Sequence, residues 1–241
     1  FNVKGNESNG IINYSNGTAG TVDVNYSDFV IEGSRSNGIL NRANGTVKVK
    51  KSNFTIKDGV SNSNGFYERA DGTTSAIGDA TDGTVTFNVN GTYNNGIYFK
   101  GHSTATAPTV TRTTFNINNN ALPNNAYSAA RNNNTGILIG NSGTPNTKSN
   151  PVITNSTFNV YGKDTASTGI LLDQGKVTIA GGTMNVTGNT NGITLIRNNR
   201  GATDGNTVTF NKASGNAMTI TTSGGNNRAI NIQGGSYGAT N

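Results

Sequence analysis

The sequence predicts an all-β protein folded as a right-handed parallel β-helix, a solenoid with three short strands per coil and about seven to eight coils. Three observations predict this fold. A phrase with Gly at its second position recurs along the chain, short alternating apolar segments lie between its copies, and no stretch keeps the apolar period of a helix beyond about two turns. The prediction treats residues 1–241 as a single repeat domain, interpreted as a fragment or mature segment of a larger surface protein.

The recurrent phrase sets the spacing of the repeats. Its first copy is Asn-Gly-Ile, at residues 9–11, and two later copies are Thr-Gly-Ile. Its glycines are Gly10, Gly38, Gly65, Gly96, Gly136, Gly169 and Gly192. Successive glycines are therefore between 23 residues (169 to 192) and 40 residues (96 to 136) apart. Since a solenoid core tolerates insertions at its corners, the longer repeats predict surface loops.

Between these copies lie short segments in which apolar and polar side chains alternate. In the first repeat Val22 and Val24 share one face, as do Phe29 and Ile31, while Asp23 points to the other face. Such a repeat cannot bury its apolar face alone, so we expect the coils to stack around inward columns of Val, Ile and Phe. With adjacent strands about 4.8 Å apart, the stack should be roughly 35 Å long.

Charge is sparse and scattered along the chain. Charged residues make up 12% of the sequence, about half the usual share, and the net charge is +6. The only basic cluster is formed by Lys48, Lys50 and Lys51. Nucleic-acid binding needs a concentrated basic stripe with stacking aromatic residues, so we expect no nucleic-acid partner. The three lysines are either solubilising charges or part of a site for an anionic partner.

The composition also bears on where the protein works. The chain has no cysteine, which suits an oxidising exterior, and no run of about 18 apolar residues that would cross a membrane as a helix. We therefore expect an extracellular chain that is not embedded in the membrane, and the resemblance described below narrows this expectation to an extracellular or bacterial cell-surface location.

The acidic residues do not predict an active site. Glycan-cleaving chemistry needs paired carboxylates on one face of the fold. The nearest to such a cluster is formed by Glu68, Asp71, Asp79 and Asp82, all within one predicted insertion, and we interpret them as solvated loop acids. We therefore expect no enzymatic activity.

The remaining residues that could take part in catalysis or metal binding also lack suitable neighbours. Asp23 and Asp28 would face outward together, but the repeat places Lys48 and Asn53 beside them on the next coil rather than a second pair of acids. His102 is the only histidine and has no acid or nucleophile near it in sequence. A catalytic triad, a zinc site and a bound cofactor are therefore not expected.

Two tyrosines suggest a binding surface instead. Tyr67 and Tyr98 occupy the same place in successive copies of the recurrent phrase, so we expect them to stack on the outer face of the solenoid. Exposed tyrosine rings pack against sugars or protein partners. Tyr67, Tyr98, His102 and the lysine cluster are the candidate partner-binding residues.

Asparagine has two interpretations in this sequence. Inside a corner, stacked Asn side chains would satisfy buried backbone groups. On a flat outer face, Thr-x-Thr pairs would order water, as in ice-binding solenoids. The pairs at 111–113 and 219–221 do not recur at one position of the coil, so the first interpretation is favoured.

These phrases resemble the β-helical passenger regions of bacterial autotransporter and haemagglutinin-like adhesins. The resemblance rests on the Asn-Gly-Ile and Thr-Gly-Ile phrases followed by Val-x-Val and Ser-x-Phe-x-Val strands, and it covers nearly the whole chain. It implies export to the cell surface and a role in adhesion or aggregation. It carries over no active-site motif.

The sequence therefore predicts a non-catalytic adhesin or passenger stalk whose partner is a protein or glycan on a host or bacterial surface. Two alternatives remain open. One is a structural subunit of an extracellular filament that self-associates through the ends of the β-helix. The other is a glycan-active β-helix enzyme, which would require a carboxylate cluster on one face.

Overall fold

The computed structural model describes residues 1–14, 20–42, 45–69, 75–100, 107–118, 133–140, 150–162, 167–173, 175–196, 206–211, 216–233 and 238–240. These residues form strands, turns and bends, with no helix among them, and the all-β prediction is confirmed. Every pairing between the strands is parallel, as in a solenoid. The strands form two sheets of fourteen and eight strands.

The strands stack in three columns, and one strand from each column makes a level. Column A is the eight-stranded sheet and contains the recurrent phrase. Its strands are β2 (Asn9–Asn13), β5 (Asn37–Asn41), β8 (Asn64–Arg69), β11 (Asn95–Lys100), β14 (Thr135–Gly140), β16 (Thr168–Leu172), β18 (Asn191–Ile196) and β21 (Arg228–Gln233).

Columns B and C are joined into the larger sheet because two long strands, β15 (Val152–Gly162) and β17 (Lys176–Gly188), belong to both. Column B also contains β3 (Thr21–Asn25), β6 (Thr46–Lys50), β9 (Ala76–Ile77), β12 (Thr109–Thr111), β19 (Thr207–Asn211) and β22 (Gly238–Thr240). Column C also contains β1 (Asn2–Val3), β4 (Asp28–Ile31), β7 (Asn53–Ile56), β10 (Val85–Val89), β13 (Thr113–Ile117) and β20 (Thr219–Ser223).

The core is a stack of like residues, and column C supplies its largest members. The buried rings of this column are Phe29, Phe54, Phe87, Phe115 and Phe158. Their centroids are separated by 4.6, 4.7, 5.2 and 4.7 Å in that order, with nearly parallel planes. Register pairs each ring directly with the next, so the strand spacing and the ring spacing reinforce each other.

The recurrence of Gly at the second position of the phrase follows from these rings. A Cβ placed on Gly65 would lie 2.7 Å from Cδ1 of Phe87 and 2.8 Å from the carbonyl oxygen of Gly96. A Cβ on Gly38 would likewise lie 2.9 Å from Cδ1 of Phe54. The phrase therefore needs Gly for space, because a Phe of column C packs against the backbone of column A.

Two of the corners turn on residues with left-handed backbone conformation. Between columns C and A these residues are Glu7, Arg35, Asn62 and Tyr93, and the connection from β13 to β14 has two, Asn118 and Asn133. Between columns B and C they are Tyr26, Lys51, Arg112 and Asn155. Their φ angles run from 44° to 59°, a region that costs an ordinary residue about 1–2 kcal/mol. The flanking ladders impose this geometry, since most of these side chains are not typical turn formers.

The corner between columns C and A also satisfies buried backbone groups. The Ser8 N–H donates to Oγ of Ser36 at 3.0 Å, and the Ser36 N–H donates to Oγ of Ser63 at 3.0 Å. Higher in the stack, the Ser63 N–H donates to Oδ1 of Asn94 at 2.8 Å, and the Asn94 N–H to Oδ1 of Asn134 at 2.9 Å. The interpretation of corner asparagines as partners of buried backbone groups is confirmed at these positions.

We expect removal of one ring from the middle of the column C stack to destabilise the fold strongly. Phe87→Ala would leave a cavity between Phe54 and Phe115 and should lower the free energy of unfolding by about 3–5 kcal/mol, measured by urea unfolding followed by circular dichroism. Phe1→Ala is the matched control, because the Phe1 ring is 57% exposed and stacks only on Phe29. Equal losses in the two variants would contradict the stacked core.

Candidate functional site

The outward side of column A carries a groove that crosses several levels. Its volume is 540 Å³, within the range of about 300–1,000 Å³ typical of ligand sites. Its floor is a row of side chains at the fourth position of successive strands, Tyr98, Leu138, Leu171 and Thr194. Three steps of about 4.8 Å separate the first from the last of these residues, so the floor is about 14 Å long.

One wall of the groove is polar. It is formed by the first residue of the same four strands, Asn95, Thr135, Thr168 and Asn191. The hydroxyls of Thr168 and Thr194 are 3.2 Å apart and join this wall to the floor.

An asparagine ladder leads to this wall from the lower levels. Nδ2 of Asn37 donates to Oδ1 of Asn9 at 2.7 Å, and Nδ2 of Asn64 donates to Oδ1 of Asn37 at 2.8 Å. Asn95 continues the ladder by donating to Oδ1 of Asn64 at 2.9 Å. The ladder holds these amides in fixed orientations, so the wall is organised before any ligand binds.

Asn191 differs from the other amides of this wall. Its side chain is more than nine-tenths buried, with 8% relative exposure, and Oδ1 accepts no hydrogen bond from any described residue. A buried acceptor without a donor costs roughly 1–3 kcal/mol. Since Asn191 lines the groove, a donor on a molecule lying there would satisfy it.

The tyrosines that the sequence singles out lie together at one end of the groove. The rings of Tyr67 and Tyr98 stack with centroids 4.9 Å apart and planes 5° from parallel. Both are half-buried on the outer face of column A. Burial raises the pKa of the Tyr67 phenol above its ordinary value.

Tyr98 lines the groove itself and is the lowest residue of its floor. Its ring reaches across the following strand, because a Cβ placed on Gly140 would lie 3.1 Å from Cε2 of Tyr98. Gly at position 140 therefore leaves room for the ring beside the backbone of β14.

Lys50 and Lys51 of the lysine cluster each form an ion pair with an acid of the next level. Lys50 forms an ion pair of 2.5 Å with Asp79, and Lys51 forms one of 2.6 Å with Asp82. Nζ of Lys51 also donates to the Tyr26 hydroxyl at 2.7 Å. Hydrogen bonding to Asp82 and Tyr26 raises the pKa of Lys51 to about 12. These two lysines therefore hold residues 79–82 against the level below.

The other two candidates are placed differently. Lys48 is exposed on column B, in register with Asp23. His102 lies outside the described residues.

One interpretation of the acidic residues is wrong. Glu68 is not a solvated loop acid, because it lies within β8 with 2% exposure, in register with Asn41 and Phe99. The Asn41 amide donates to Oε2 of Glu68 at 3.5 Å. Its position in a strand was hidden in the sequence, since the phrase that contains it runs directly into an insertion.

The other acids have specific partners. Asp79 and Asp82 are held by the lysines described above, and Asp71 lies outside the described residues. The predicted register at Asp28 is confirmed, because Asn53 pairs with it and donates to its Oδ1 at 2.9 Å. Within the described ranges, no group of three or more His, Cys, Asp or Glu side chains could hold a metal ion.

The alternation and spacing of the repeats did not predict the polar wall of the groove or a second asparagine ladder. The second ladder lies on the outer face of column C and is formed by Asn88, Asn116, Asn159 and Asn185, each amide bonded to the next at 2.9 Å. In the sequence, each ladder corresponds to Asn at the same position of successive repeats. The positions of the Thr-x-Thr pairs do not reveal this pattern.

Comparison with models of protein families, with curated proteins and with solved structures finds no match. None of the described parts of the chain forms a helix long and apolar enough to cross a membrane.

We expect the Lys50–Asp79 pair to give an acid-sensitive contribution to stability. Hydrogen bonds from Lys50 and from the N–H and hydroxyl of Thr81 hold the pKa of Asp79 below its ordinary value of 3.8. A carboxylate with a lowered pKa stabilises the folded state fully above the ordinary value and progressively less below it. Asp79→Asn should therefore lower the melting temperature by a constant amount at about pH 5–7 and by less below pH 3.8.

The matched control is Glu7→Gln, which removes an ion pair with Arg35 whose two side chains are 66% and 68% exposed. Such a pair contributes little, so its removal should leave the melting temperature nearly unchanged. A deficit in Asp79→Asn that stays the same down to about pH 2 would contradict the assigned pairing.

Proposed function

We propose that the chain is a right-handed parallel β-helix of about seven to eight coils that serves as a non-catalytic stalk of a bacterial surface adhesin and mediates attachment or aggregation. The eight strands of column A support this coil number. Right-handedness is supported by the strong preference, about 98%, of crossover connections between parallel strands of one sheet.

The observation that carries the proposed function is the groove on column A. It combines a hydrophobic floor with a row of amides and hydroxyls, and it lies on strands whose register is held by neighbours on both sides. A preformed concave surface on a rigid scaffold is suited to recognition. The absence of catalysis is supported by the structural roles of the described acids, since Glu68, Asp28, Asp79 and Asp82 each contact a partner within the fold.

Export to the bacterial surface and the choice of a protein or glycan partner also belong to this proposal. They are supported by the resemblance of the repeats to autotransporter and haemagglutinin-like passengers. The partner would meet the outer face of the stack, because the inner faces of the three columns are filled by the core.

The proposal predicts saturable binding of the purified chain to washed bacteria or epithelial cells. Leu171→Lys puts a charge on the half-buried floor of the groove and should weaken this binding by about tenfold or more, measured by flow cytometry of the labelled chain. Asn159→Lys on column C is the matched control and should bind as the unchanged chain does. No saturable binding to any cell, or equal binding by both variants, would overturn the proposal.

A self-associating filament subunit is the alternative function to be distinguished from the adhesin stalk. Sedimentation across a range of concentrations, with negative-stain imaging, distinguishes the two functions. Ordered end-to-end filaments would favour the subunit, and a stable monomeric rod would favour the adhesin stalk.

A further inference from the structure

We infer that the column A groove binds a neutral oligosaccharide, with Oδ1 of Asn191 accepting a hydrogen bond from a sugar hydroxyl and the Tyr98 ring packing against the sugar at the lower end of the floor. The inference rests on the proposed function, because it names the ligand class of the same groove. Three properties of the groove lead to it: its charge, its division into apolar and polar sides, and the unmet acceptor.

The described residues that line the groove carry no charge. The described residues that line it are Asn, Thr, Tyr, Leu, Ile and Gln, with no acid or base among them. The nearest strand beyond the wall begins with Arg228, which is in register with Asn191 but is exposed and does not line the groove. A ligand with fixed charges would lose its hydration here without gaining an opposite charge, so a neutral ligand fits better.

The apolar floor of the groove suits the ring C–H groups of a sugar, and the polar wall suits its hydroxyls. Leu138 and Leu171 offer an apolar floor to ring C–H groups, and Tyr98 offers an aromatic ring at the end of that floor. Asn95 and Thr135 offer an amide and a hydroxyl along one side, where sugar hydroxyls both donate and accept.

An extended peptide fits this surface less well than a sugar. Peptides that bind β-sheets usually add a strand to an open edge and pair with its backbone. The groove lies on a face of column A, where each of β11, β14, β16 and β18 pairs with a strand on both sides. The backbone there is already engaged, so recognition must come from side chains.

Asn191 supplies the most specific point of contact. Its acceptor is buried, faces no donor among the described residues and belongs to a residue that lines the groove. Other wall residues are satisfied within the fold, as Thr168 is by Thr194 and by the carbonyl oxygens of Ile170 and Gly192. An acceptor left unsatisfied by the described residues, on a residue that lines the groove, points to a donor on a ligand that binds there.

The test measures binding of the whole chain to defined probes by isothermal titration calorimetry. The probes are linear tetrasaccharides of glucose, galactose, mannose and N-acetylglucosamine, with tetragalacturonate as the acidic comparator and tetraserine amide, acetylated at its N-terminus, as the peptide comparator. We expect at least one neutral tetrasaccharide to bind, and tetragalacturonate and the peptide to bind at least about tenfold more weakly.

Two variants examine the site itself. Asn191→Leu keeps the side-chain volume and removes the unmet acceptor, so it should weaken the tetrasaccharide at least about tenfold while leaving the melting temperature unchanged or higher. Tyr98→Leu should also weaken binding and serves if the first variant does not fold. Asn185→Leu, on the exposed outer face of column C, is the matched control and should bind as the unchanged chain does.

Three results would overturn the inference: no neutral tetrasaccharide binds, a comparator binds as tightly as the best of them, or folded Asn191→Leu and Tyr98→Leu both bind like the control. Its failure is distinguishable from that of the proposed function. A chain that attaches saturably to cells, but binds none of the neutral tetrasaccharides, contradicts only the ligand class. A chain that attaches to no cell contradicts the proposed function as well.

Discussion

The structure depends on one contact, which is repeated at successive levels: the backbone of a column A glycine against a large side chain of column C. Gly65 leaves space for Phe87, Gly96 for Phe115, and Gly169 for Met184. This contact brings two columns close enough to share one core, and it forces each level into register with the next. A single repeat has no second surface against which to bury its ring, so the fold exists only as a stack.

Once this contact sets the register, each position of the recurrent phrase has a separate physical task. The residue before the phrase, such as Ser63, satisfies a buried backbone N–H of the level below. The first residue faces outward and joins an amide or hydroxyl row, the Gly provides space, and the third residue fills the core. The fourth residue faces outward again, so rows one and four run side by side along the stack. The groove is a direct product of this pattern, because it needs no element outside the repeat.

The sequence was sufficient for the parts of the fold that depend on alternation and spacing. It predicts the β class, the repeat, the alignment of Asp28 with Asn53 and the common position of Tyr67 and Tyr98, since each follows from counting along the repeat. It could not predict the left-handed corners, where residues such as Arg35 adopt a conformation that their own preferences disfavour. The sequence also could not show which side chains contact each other between levels, because the number of residues that separates two such side chains changes with each insertion. The burial of Glu68 and the unmet acceptor of Asn191 both depend on such contacts between levels.

The most direct test of the stacked register is a distance between two spin labels on the outer face of column C. The chain has no cysteine, so Asn88→Cys and Thr221→Cys would carry the only labels, 133 residues apart in sequence (221 minus 88). The pairings from β10 through β13, β15 and β17 to β20 separate these positions by four steps of about 4.8 Å, or about 19 Å. A narrow distribution near this value, widened only by the label arms, is the predicted result. A broad distribution centred at about twice that distance or more would contradict the in-register stack on which both the core and the groove depend.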